Sequence, residues 1–129
     1  MATILIVDDE QPLRELLAEI LESEGHRVLL SGNGREALAL IEGDQPDLIV
    51  SDVMMPILNG IKLCRQLKDE PATAMLPVIL MSSVGPAVAA GSGADAFISK
   101  PFDLDELEAV VRRLLHSSAN ANTLADAPS

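Results

Sequence analysis

Tryptophan and tyrosine are absent, and Phe97 and Phe102 are the only aromatic rings. Any core must therefore be aliphatic, built from Leu, Ile, Val, Ala and Met. Cys64 is the single cysteine, which excludes an internal disulfide. No apolar run reaches the length of a membrane span. The start, Met-Ala-Thr-Ile-Leu-Ile-Val-Asp-Asp, has neither the basic segment nor the small-residue cleavage site of a signal peptide. These absences favour a soluble, cytoplasmic chain without membrane association. Basic residues are also few, nine against twenty acidic ones, for a formal net charge of −11. Such a chain repels the phosphates of DNA or RNA, so direct nucleic-acid binding is not expected.

What is present is one domain's worth of chain, 129 residues of which 48% are apolar. Short apolar runs at Thr3–Val7, Arg27–Ser31, Leu48–Ser51, Val78–Met81 and Ala96–Ser99 read as strands. Between them, helical spacing predicts helices at about Gln11–Glu24, Arg35–Glu42, Gly60–Asp69 and Leu104–His116. Asp103 and Glu106 have capping-box spacing before the last of these. Alternation of strand and helix predicts an α/β fold, a doubly wound parallel sheet with helices on both faces. Ser83–Asp95 is the exception. Three glycines and a proline there leave room for at most one or two helical turns, so the fourth helix is expected to be shortened or absent. Residues 1–116 read as the domain, and residues 117–129 as a disordered tail or the start of a linker.

Chemistry in open parallel sheets gathers at the carboxyl ends of the strands. Asp8 and Asp9 follow the first strand, Asp52 the third, Ser82 the fourth and Lys100 the fifth. Carboxylates crowded into a poorly solvated pocket must share a proton or bind a cation. An all-oxygen site with open positions suits Mg²⁺, which keeps waters and accepts phosphate oxygens. A carboxylate such as Asp52 can then serve as a nucleophile toward phosphorus. Taken singly, each of these residues has an ordinary explanation as a turn acid, a helix-end acid or a strand end. Their joint placement at strand ends does not.

The chain resembles the receiver domain of two-component response regulators over about Ile4 to Leu115. The resemblance is carried by Asp8-Asp9, by Asp52 with Met54-Met55-Pro56 and Asn59-Gly60, by Ser82, and by Lys100-Pro101-Phe102. It implies a flavodoxin-like sheet of strand order 2-1-3-4-5. It makes Asp52 the phosphoacceptor, with Mg²⁺ held by Asp8, Asp9, Asp52 and the carbonyl of Met54. Ser82 and Lys100 bind the phosphoryl group, Ser82 and Phe97 form the switch, and the Lys100–Pro101 bond is cis. The implied donor is a phosphohistidine on a histidine kinase or histidine phosphotransfer protein, and the output is a downstream protein or a fused effector. The chain would catalyse its own phosphorylation without being a turnover enzyme.

Two departures stand out. Ser82 and Lys100 are closer in sequence than is usual in the family by about four residues, roughly one helical turn. Phe97 lacks the hydroxyl that a tyrosine often supplies there, so its switch works through packing. Met54 and Val84, each two residues past a site residue, are apolar and cannot orient a hydrolytic water, so slow self-dephosphorylation is expected. The alternative reading is a pseudo-receiver, a binding module that works unphosphorylated. A flavodoxin-type electron carrier fits less well, because the loop after the first strand is acidic and no Trp or Tyr is present to stack on a flavin.

Overall fold

All five apolar runs form strands: Thr3–Val7 (β1), Arg27–Ser31 (β2), Leu48–Asp52 (β3), Val78–Ser82 (β4) and Ala96–Ser99 (β5). The computed structural model describes residues 2–126. The strands make one parallel sheet in the order β2-β1-β3-β4-β5, as the resemblance implied. β3 and β4 each run one residue further than expected, so Asp52 and Ser82 are the last residues of their strands.

Helices Gln11–Ser23 (α1), Gly34–Gly43 (α2), Gly60–Asp69 (α3) and Leu104–Asp126 (α4) cover both faces. The strand period of two divides the core. Ile4 and Ile6 pack with Leu17 and Leu21 of α1 and Leu107 and Val111 of α4. Leu5 and Val7 pack on the other side with Ala37 and Ile41 of α2 and Leu63, Cys64 and Leu67 of α3. Each of these is buried, which is why the strands are apolar at successive positions instead of alternating.

Local chemistry sets the helix ends. Asn33 accepts the Glu36 N–H at 2.9 Å, so α2 begins at Gly34, one residue before the expected start. Asn59 caps α3 in the same way through Lys62 N–H, and Asp103 accepts the Asp105 N–H before α4. α4 continues past His116 to Asp126, because neither glycine nor proline interrupts residues 104–126. Residues 127–129, the end of the expected tail, lie outside the described residues. Among the described residues no helix is long and apolar enough to cross a membrane.

The crossover from β4 to β5 is a single 3-10 turn, Pro86–Ala89, in place of a full helix. Gly85 (φ +101°) and Gly91 (φ +76°) bracket it. It is tied down from α3. Lys68 Nζ donates at 2.8 Å both to Asp95 Oδ2 and to the Leu76 carbonyl, and Asp95 Oδ2 also accepts the Val78 N–H at 2.8 Å.

Candidate functional site

Parallel register brings the polar strand ends together. Val7 pairs with Ser51, so Asp8 comes alongside Asp52; Ser82 pairs with Ser99, so Lys100 leaves beside it. The Lys100–Pro101 peptide is cis. Lys100 Nζ lies 3.2 Å from Asp8 Oδ2 and 3.2 Å from Asp52 Oδ2. Asp8 is fully buried and Asp52 is 5% exposed. The Asp8 turn is closed by its own Oδ1, which accepts the Glu10 N–H at 2.8 Å. From α1, Arg14 donates to the Asp8 carbonyl oxygen at 2.6 Å.

The electrostatics follow from burial. Loss of solvent raises the Asp52 pKa above its ordinary value; Lys100 offsets part of this, and the negative charge of Asp8 adds to it. Burial disfavours the charged ammonium of Lys100, but Asp8 and Asp52 outweigh it and hold its pKa above the ordinary value. Two buried carboxylates thus share one ammonium, and the charge does not balance.

Asp9 is not among the groups brought together. It is exposed, while Asp8, Glu10 and Asp52 offer carboxylate oxygens within 4.8 Å of one another. Glu10 read in sequence only as part of an acidic turn, and which of three consecutive acids faces inward is decided by the turn's direction. The donors are all oxygens, two of them on buried side chains with excess negative charge. That set fits a hard divalent cation such as Mg²⁺. Ser82 is 1% exposed, and its Oγ accepts the Val84 N–H at 3.1 Å, which leaves its proton free to donate. Phe97 is half-buried on β5, against the cluster that includes Leu63 and Cys64. The side chain of Met54 is 65% exposed.

Sequence reasoning gave no role to Gly60 beyond its motif. A Cβ there would overlap the Asp52 carbonyl oxygen, and Gly60 N–H donates to the Val53 carbonyl at 3.0 Å. The loop after β3 can close on the end of that strand only because residue 60 has no side chain.

The response regulator receiver domain family matches residues 4–112. The chain is 46% identical over 116 residues to the response regulator MprA of Mycolicibacterium vanbaalenii, covering 87% of this chain and 49% of that protein. It spans about half the length of the curated relatives it matches. The signal receiver domain of a signal transduction histidine kinase from Syntrophus aciditrophicus superposes with a TM-score of 0.87 at 40% identity, covering 91% of this chain and 92% of that one. The chemotaxis response regulator CheY4 of Vibrio cholerae superposes with a TM-score of 0.82 at 27% identity, over 88% and 98%. The chain belongs to the response regulator receiver domain family, the receiver module of two-component systems.

Proposed function

We propose that the chain accepts a phosphoryl group on Asp52 from a phosphohistidine of a histidine kinase or histidine phosphotransfer protein, and thereby switches a protein-interaction surface. The observation that carries this reading is the buried Asp8–Lys100–Asp52 arrangement at the carboxyl ends of the strands. Asp8 and Asp52 would hold Mg²⁺ with the Met54 carbonyl, and Asp9 or Glu10 would complete the acidic set. When bound, the cation neutralises the carboxylates and the incoming phosphate oxygens.

The rest is done by the chain's own groups. A carboxylate oxygen of Asp52 attacks phosphorus, a P–O bond forms, the P–N bond to the donor imidazole breaks, and the imidazole leaves with the electron pair. Lys100, freed from part of its pairing with Asp52, follows the charge onto the phosphoryl oxygens. Ser82 donates its free hydroxyl proton to another. Because Ser82 Oγ also accepts the Val84 N–H, a shift of Ser82 pulls on the crossover, and the half-buried Phe97 repacks. Burial excludes bulk water, so positioning and charge account for most of the catalysis. The chain is a stoichiometric acceptor that catalyses its own phosphorylation, not a turnover enzyme.

Intact mass after incubation with a small acyl-phosphate donor tests this. A single Mg²⁺-dependent phosphoryl adduct is expected, and none on Asp52→Asn. No adduct on a protein that binds Mg²⁺, or an adduct that survives Asp52→Asn, would overturn the reading. The lifetime of the adduct is a second prediction. Met54 and Val84 are apolar and 65% and 66% exposed, and neither orients a water for attack on phosphorus. Met54→Asn is expected to shorten the lifetime about tenfold, on the order of 1.4 kcal/mol of barrier. An unchanged lifetime would refute that assignment.

A further inference from the structure

Arg14, near the start of α1, belongs to none of the motif positions at the strand ends. It is half-buried and reaches back along the chain, where its Nη1 donates to the Asp8 carbonyl oxygen at 2.6 Å. Asp8 is fully buried, so that oxygen needs a partner inside the protein. Among the described residues no backbone N–H supplies one, and Arg14 is its one donor. The choice of partner is informative. Glu15 and Glu36 are exposed and line the same cavity as Arg14, about 180 Å³ with Gln11, Ser31 and Gly32. Yet among the described residues no carboxylate forms an ion pair with Arg14. In an acidic protein its guanidinium is aimed at a carbonyl instead.

That carbonyl belongs to the turn that places the acids. Asp8 N–H donates to the Ser31 carbonyl at 3.0 Å, and Asp8 Oδ1 accepts the Glu10 N–H at 2.8 Å. Arg14 N–H donates to the Glu10 carbonyl at 3.0 Å. Arg14 therefore ties the turn at both ends, to Glu10 through its main chain and to Asp8 through its side chain. These are the two turn acids whose carboxylate oxygens gather with those of Asp52 within 4.8 Å. Like charges so close repel, and without a tie the turn would relax outward, away from Asp52.

We propose that Arg14 is a positioning residue for the divalent cation: by holding the Asp8 carbonyl it fixes the turn that presents its acids to Asp52. This rests on the acidic set holding Mg²⁺. Arg14 itself contacts neither the cation nor the phosphoryl group. Its positive charge opposes cation binding, and its hydrogen bond favours it, so the two effects have opposite signs.

The test measures divalent affinity from the EPR signal of free Mn²⁺, with Mg²⁺ as competitor, alongside Tm. Arg14→Met removes the charge and the donor and is expected to weaken Mg²⁺ binding about tenfold. Arg14→Lys keeps the charge but offers a shorter, single-pronged donor, and should weaken it about threefold. Arg27→Gln removes the same charge from an exposed pair with Asp44 and should bind Mg²⁺ as the unaltered chain does. Equal or tighter binding by Arg14→Met would overturn the proposal. So would a lower Tm with unchanged affinity, the result of merely satisfying a buried carbonyl. Should Arg14→Met not fold, Arg14→Lys decides on the same terms. An unaltered chain that binds neither cation would strike at the acidic set itself, and the role of Arg14 would fall with it. Mg²⁺ binding without labelling of Asp52 by acetyl phosphate would strike at the phosphoacceptor alone and leave the role of Arg14 standing.

Discussion

Lys100→Ala is expected to destabilise the metal-free protein by about 3 kcal/mol at pH 8, because it leaves the buried carboxylates of Asp8 and Asp52 facing each other without a counter-ion. The cost should depend on pH in a definite direction. The Asp52 pKa is raised in the folded state even with Lys100 present, so its ionisation opposes folding. The stability linked to its protonated form is complete below the ordinary value of 3.8 and is lost as pH rises through the folded pKa. Removing the ammonium raises that pKa further. The variant takes up that proton more readily as pH falls, so the gap to the unaltered chain should be smaller at pH 5 than at pH 8. Lys100 itself contributes in the opposite range. Its raised pKa supplies stability that is complete below 10.5 and is lost as pH rises through the folded value. Urea unfolding at pH 5 and pH 8, both below the range in which Lys100 loses its proton, isolates the carboxylate contribution. Mg²⁺ should narrow the gap at pH 8 by supplying the missing positive charge. Identical differences at the two pH values would show that Lys100 is not the counter-ion of this pair. At saturating Mg²⁺ the rate of phosphorylation should fall by about two orders of magnitude, the effect of removing one preorganised positive charge from the transferring group.

Gly60→Ala is expected to be comparably damaging for a different reason. The added methyl would overlap the Asp52 carbonyl oxygen, with the Asp52 carbonyl carbon at 3.0 Å and Ser51 Oγ at 3.1 Å. None of these is the far end of a flexible side chain. Two are backbone atoms of the central strand, and Ser51 is fully buried with its hydroxyl donating to that same carbonyl at 2.9 Å. The strand end or the loop must move, at a cost of about 3 kcal/mol. Because the displaced residue is Asp52, phosphorylation should fall even where the variant remains folded. Gly43→Ala is the matched control. Gly43 ends α2 and a Cβ there meets nothing within 4 Å, so that substitution should be neutral or stabilising by up to about 1 kcal/mol. A Gly60→Ala variant as stable and as readily phosphorylated as the control would mean that the loop closes on β3 less tightly than the structure has it.

The apolar runs, their spacing and their polar ends determine much of this protein by themselves. Leu48–Val50 and Val78–Met81 are apolar at every position, which only a strand covered on both faces requires, and each ends in a residue that belongs to the site. Asn33, Asn59 and Asp103 mark helix starts by local hydrogen bonding, which depends on neighbours in sequence. Gly85, Pro86, Gly91 and Gly93 limit the β4–β5 crossover to one 3-10 turn for equally local reasons. Element order follows from such signals; strand order does not, and is set by how the strands pair in the sheet.

Relations across long sequence separations arise only in the folded chain. Asp8 and Lys100 stand 92 residues apart and meet because parallel register aligns the ends of β1, β3, β4 and β5. The burial of Asp8 and the approach of the exposed Glu10 carboxylate, rather than that of Asp9, to Asp8 and Asp52 depend on how one turn sits over the sheet edge, which three adjacent acids cannot announce. The hold of Lys68 on Asp95 and the need for no side chain at Gly60 arise in the same way. Each is a matter of which atoms approach in space, and the local pattern of residues does not carry that information.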